Sequence, residues 1–149
     1  MNYTTLQILI KDALVATDLY SDSLAELLVI GAVAQTKGGA FLQHDESIGI
    51  WLCTREDFNE VKDSYLSRNV GLVYKMLQKL HLQTLPYFEA VKYSLLYAAM
   101  IEAASYMQLP ESLPGATDTK ALITFYKKYT PTGISEDALL VEYKKYVKV

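Results

Sequence analysis

The sequence predicts a mainly α-helical domain, and three features lead there. Apolar residues recur at three- and four-residue spacing through most of the chain. Ser, Thr and Asp stand where those runs begin, and Gly and Pro stand where they end. The segment from Phe41 to Leu52 is the one stretch that reads as a turn with two short strands. The chain has 149 residues, 51% of them hydrophobic. That suits a single domain, residues 1–149, burying roughly 70% of its unfolded surface.

Leu6, Leu9, Ile10, Ala13 and Leu14 follow helical spacing and predict an amphipathic helix over Thr4 to Thr17. Ser23 and Glu26 fit a capping box, with Asp22 as the alternative cap. The helix after them runs from about Leu24 to Lys37. It is apolar nearly all round between Leu27 and Ala34, which predicts the buried central helix. Gly38 and Gly39 end it. Gln43 to Ser47 form the polar turn of the two-strand segment, followed by Ile48-Gly49-Ile50-Trp51.

Thr54, with Asp57 three residues on, starts a helix carrying Phe58, Val61 and Leu66. Asn69 to Leu82 is the next, with Leu72, Val73, Met76, Leu77 and Leu80 inward. Pro86 suits a helix first turn, and Tyr87 to Met107 reads as one long alanine-rich helix. Pro110 and Pro114-Gly115 mark a loop. Thr117 or Asp118 caps a helix with Leu122, Ile123, Phe125 and Tyr126. Pro131-Thr132-Gly133 breaks it, and Ser135 caps the last helix, Glu136 to about Tyr146.

Composition excludes several function classes. The net charge is −3, and Lys and Arg are spread along the chain, so no field for nucleic acid is expected. Cys53 is the only cysteine, which rules out an internal disulfide and reads as a small core thiol. With His44 and His81 as the only histidines, a zinc site is not expected, nor is any cofactor. Met1-Asn2-Tyr3 lacks a basic leader, and Lys11 and Asp12 interrupt the first apolar run, so no signal peptide is read and synthesis in a cytoplasm is expected. The longest apolar stretch, Leu27 to Ala34, is far short of a membrane span.

Three segments carry a family resemblance: "LYSDSLAELLVIGAVAQTKGGAFLQH", "SIGIWLCTREDF" and "YMQLPESLPGATDTKALITFYKKYTPTGISEDALLVEYKKY". In this order they resemble phage-encoded lysozyme-like (transglycosylase-like) virion proteins, and the similarity spans nearly the whole chain. The resemblance implies a lysozyme-like helical domain with a small β-hairpin or turn after the central helix. It also implies a glycan cleft whose general acid is a glutamate at that helix's end, held protonated by apolar surroundings.

Three departures bear on activity. Thr36 stands where the family has its glutamate, after Val33-Ala34-Gln35. A threonine hydroxyl has no proton to give near neutral pH, and losing a positioned general acid costs about 10²–10⁴ in rate. Leu52 stands where the family has a glutamine, and Lys37 replaces a small serine. Asp45 and Glu46 in the adjacent turn are the candidate substitute acids, Glu46 the better, against a reading as solvated turn residues. Trp51 and Gln35 are the candidate glycan contacts, although a single tryptophan such as Trp51 is more often a core or cleft-wall anchor. Tyr126, Tyr129, Tyr143 and Tyr146 are read either as helix packing or as a protein–protein interface.

The expected function is therefore a phage virion structural protein, derived from a lysozyme-like fold and without glycosidase activity. It would contact other virion proteins, or its own copies, in the tail, baseplate, neck or capsid. The alternatives are an active peptidoglycan-cleaving enzyme using Glu46, and a module that binds peptidoglycan glycan without cutting it.

Overall fold

The computed structural model describes residues 1–148, which form eight helices and a two-stranded hairpin after the second helix. Side-chain oxygens open most of the helices, because the first backbone amides of a helix lack partners within it. Asn2 accepts from the Thr5 amide and starts α1, Tyr3–Ala16. Ser21 accepts from the Leu24 amide and starts α2, Asp22–Thr36. The expected cap at Ser23 or Asp22 is thus displaced to Ser21. Glu26 makes no capping box, because its carboxylate accepts the hydroxyls of Tyr3 and Tyr143 from two other helices.

At its far end α2 turns through Lys37, which is left-handed at φ 54°, and Gly38 returns its amide to the Ala32 carbonyl. β1, Gln43–His44, and β2, Ser47–Ile48, then pair antiparallel across a two-residue turn in which Asp45 has φ 52°. Thr54 caps α3, Arg55–Glu60, by accepting from the Asp57 amide. The chain continues through a π turn, Val61–Tyr65, and a 3₁₀ turn, Leu66–Arg68, into α4, Val70–Leu80.

The long helix expected over Tyr87 to Met107 is two helices, α5, Ala90–Tyr93, and α6, Leu95–Met107. Ser94 separates them. Its backbone is extended, and its hydroxyl accepts from the Tyr97 amide, so a residue placed mid-helix by periodicity is a cap instead. Pro86 lies ahead of α5 and outside any helix, where its carbonyl accepts the Tyr97 hydroxyl at 2.9 Å. Asp118 caps α7, Thr119–Tyr129, and Ser135 caps α8, Glu136–Lys148.

The buried apolar residues form one cluster with α2 at its centre, packed against α1, α6, α7 and α8. Gly31 is the point of closest approach. A Cβ there would lie 3.2 Å from both Trp51 Cδ1 and Tyr126 Cε2, so its absence lets both rings close on the helix. Trp51 Nε1 donates to the Leu28 carbonyl at 2.8 Å and fixes the chain after the hairpin against α2.

Gly49 docks the hairpin on α5. Its φ is +84°, and a Cβ there would lie 2.8 Å from the Val91 carbonyl oxygen. Backbone cannot yield as a side-chain tip can, so strain and overlap add. Gly49→Ala is expected to cost about 2–4 kcal/mol in urea unfolding. Gly38→Ala is expected to cost less, about 1–2 kcal/mol, because the Cβ would meet only the ring end of Tyr146.

Candidate functional site

Thr36, the last residue of α2, does not open onto a cleft. Thr36 is 0% exposed. Its hydroxyl donates to the Ile50 carbonyl at 2.7 Å and accepts from the Gly39 amide at 3.0 Å. The donor is used and the side chain is enclosed, so the position that would carry the helix-end acid is a latch between α2 and the chain after the hairpin. Lys37 beside it is exposed.

A groove of about 800 Å³ lies instead between the hairpin, α3, α6 and the chain that follows α7. Gln35 enters it from α2, His44 and Ser47 from the hairpin, Asp57 and Glu60 from α3, and Glu102 and Ser105 from α6. Leu52 lines it with a left-handed backbone, φ 48°. That conformation is costly for a bulky side chain and is held by the Gly49–Leu52 turn, whose Leu52 amide bonds the Gly49 carbonyl.

Glu102 is the residue that motif reasoning missed. It is the one charged side chain in α6, whose sequence is LLYAAMIEAASYM. A lone acid in an apolar helix is a signal in itself, since burying a carboxylate without a partner is costly. The residue is partly exposed on its groove side. Burial pushes its carboxyl up to about 8, and the Asp57 charge adds to the shift. Glu102 is therefore a protonated acid near neutral pH, a donor where most glutamates only accept.

The sequence-derived candidates divide across the molecule. Asp45 and Glu46 are exposed and line a second groove of about 690 Å³ with Arg55, Glu89 and Lys92. They lie on the other side of the hairpin from Glu102, and Asp45 pairs loosely with His44 at 3.6 Å. Trp51 touches the Glu102 groove but is 5% exposed, with its N–H committed to Leu28, so it is an anchor and offers little face for stacking. Gln35 reaches the groove and donates to the Tyr126 hydroxyl at 2.7 Å. Cys53 is buried, and burial raises its thiol well above the ordinary range, which leaves it an unreactive thiol.

The four C-terminal tyrosines point mostly inward. Tyr126 is 1% exposed, and Tyr143 is buried with its hydroxyl on Glu26. Tyr146 donates to the Met1 carbonyl at 2.6 Å, and Tyr129 donates to Glu111 at 2.7 Å while flanking the groove. The tyrosines that do stand in solvent are Tyr20, Tyr74, Tyr87 and Tyr93. Among the described residues no group of His, Cys, Asp and Glu is placed to hold a metal ion.

Thr36→Val keeps the shape and deletes the hydroxyl. It leaves the Ile50 carbonyl and the Gly39 amide unmet and is expected to cost about 1–3 kcal/mol in urea unfolding. Glu102 has the opposite signature. Between the ordinary carboxyl range and about 8, the folded protein holds a proton that the unfolded chain has released. Its contribution to stability is complete at acid pH and is lost as pH rises through that window. Glu102→Gln, which cannot ionise, is expected to gain about 1–3 kcal/mol on the wild type between about pH 5 and pH 8.5, a range discounted for water at the groove. Thermal melts at the two pH values check this. Compared with known proteins, the chain matches no family model, no curated protein and no solved structure.

Proposed function

We propose that the chain is a structural protein of a phage virion, built on a lysozyme-like fold and acting through protein–protein contacts. The observation that carries this reading is the sealed hydroxyl of Thr36, which stands where that fold's acid would have to meet substrate. Catalysis at that position needs a titratable group facing a cleft, and this site has neither. The virion setting rests on the sequence resemblance, with other virion proteins or further copies of the chain as partners. Tyr87 and Tyr93, the most exposed aromatic side chains, are the contact residues that the surface supplies best.

A second reading, a peptidoglycan-cleaving enzyme with a rearranged acid, is favoured by Glu102. The acid in that case is Glu102 with Asp57 as the second carboxyl group, in place of Glu46, since Glu46 lies exposed in the other groove.

A zymogram on purified peptidoglycan separates the two readings. The structural reading expects no clearing by the wild type, by Glu102→Gln or by Thr36→Glu. Thr36→Glu should also unfold at lower urea, because it forces a carboxyl into a sealed space and removes the latch. Clearing by the wild type that Glu102→Gln abolishes would establish the second reading. Fractionation of disassembled particles, with mass spectrometry of each fraction, places the protein in the virion or excludes it.

A further inference from the structure

We propose that the outer ridge of α4 is a homodimer contact, where a second copy of this chain packs antiparallel across a two-fold axis. The proposal goes beyond the structural reading above and does not depend on the virion setting. Met76 is the one buried side chain of α4. An eleven-residue helix is marginal by itself and relies on burying a face, which α4 does along a single line. On its outer side Val70, Tyr74, Gln78 and Leu82 follow one another at four-residue spacing, and all four are exposed. Val70 is 76% exposed and Tyr74 62%, and neither these two nor Leu82 packs on the core.

Charge selects the occupant. The two lysines of α4 are drawn off the ridge, Lys75 to Asp18 and Lys79 to Asp12, on the side of α1. The ridge is left without a charge, although the chain as a whole carries −3. A charged partner segment finds no counter-charge there, whereas a second copy meets no like charge.

The order of the four residues also complements itself. In an antiparallel two-fold pairing centred at Met76, Tyr74 of one copy faces Gln78 of the other, and Val70 faces Leu82. Within one chain Gln78 Nε2 donates to the Tyr74 hydroxyl at 3.1 Å. That leaves the hydroxyl proton and the Gln78 carbonyl oxygen to be met from outside. Across the axis each Tyr74 donates to the opposite Gln78, which closes a ring of four hydrogen bonds inside an apolar frame. Rows at four-residue spacing are the ridges that lie side by side in the commonest helix crossing. Gly71 beside the row has open space before it, so a neighbouring helix can approach. Pairing the two ridges with their half-buried neighbours buries about 1,000 Å² in total, the low end for a specific complex. The dimer is therefore weak and reversible, with a dissociation constant of about 10–100 µM.

The test is sedimentation velocity of the full chain from about 1 µM to about 500 µM, a span that brackets that constant. The wild type is expected to pass from monomer to dimer. Tyr74→Glu and Val70→Glu alter exposed positions, so their melting curves should match the wild type. Each should weaken the dimer about tenfold or more. Val141→Glu, the same kind of change at an exposed position on α8, should leave it intact. Cross-linking reads the register. Val70→Cys with Leu82→Cys in one chain should give a covalent dimer on oxidation, since the two positions are about 18 Å apart within a chain. Val70→Cys alone should not, and the native Cys53 is buried. A monomer at every concentration overturns the proposal and leaves the ridge to a different protein. A dimer untouched by Tyr74→Glu, or weakened equally by Val141→Glu, lies elsewhere and overturns it too. Equal cross-linking by the single and double cysteine variants overturns the antiparallel register. Fractionation of particles reports on the virion setting alone, so the two failures stay distinct.

Discussion

The α2 helix is apolar on nearly all sides and ends inside the molecule, so its last turn needs partners that bulk water cannot supply. The Thr36 hydroxyl provides one by joining the Gly39 amide to the Ile50 carbonyl. That link returns the chain to the helix after the hairpin. It thereby sets where Trp51 meets Leu28, where Gly49 meets Val91 and which way the hairpin divides the surface. A hydroxyl suits this role because it donates and accepts at one atom. A carboxyl in the same space would be bulkier, and once ionised it would be a buried charge with no proton to give the Ile50 carbonyl. Closing the helix end this way excludes acid chemistry at that end.

The groove shows how an acid can arise on another element of the same scaffold. Nothing around Glu102 neutralises it, so the protein holds it as the neutral acid. Glu26 shows the contrasting solution on the opposite side of α2. It is half-buried, and the Tyr3 and Tyr143 hydroxyls meet it from α1 and α8. One glutamate is satisfied by the fold and serves to hold helices together. The other is left over and faces an open space, which is the condition under which a polar group acts on something other than the protein.

Much of the architecture was legible from local chemistry. Thr54, Asp118 and Ser135 each had one plausible helix to start, and each starts it. The unbroken apolar run of α2 announced a central helix, and the polar turn with glycine after it announced the hairpin. Ser23 and Asp22 were the caps that the pattern singled out, and Ser21 takes the role because Glu26 is used across the core and not in a capping box. Ser94 sits among good helix formers, and periodicity does not reveal that its hydroxyl bonds the backbone. The tyrosines were ambiguous for a related reason: spacing places a ring on a helix but does not say whether its hydroxyl finds Glu26, Gln35 or water. Glu102 left a visible trace, a single charge in an apolar helix, which motif comparison passes over because it belongs to no motif.

The hydrogen bond from Tyr146 to the Met1 carbonyl, with the Tyr3 and Tyr146 rings edge to face at 6.3 Å, ties the start of α1 to the last turns of α8. Helix ends ordinarily fray one at a time. Here, loosening either one strips contacts from the other, so the two open together as a single cooperative unit. An attachment at one terminus would then be felt as motion at the opposite one.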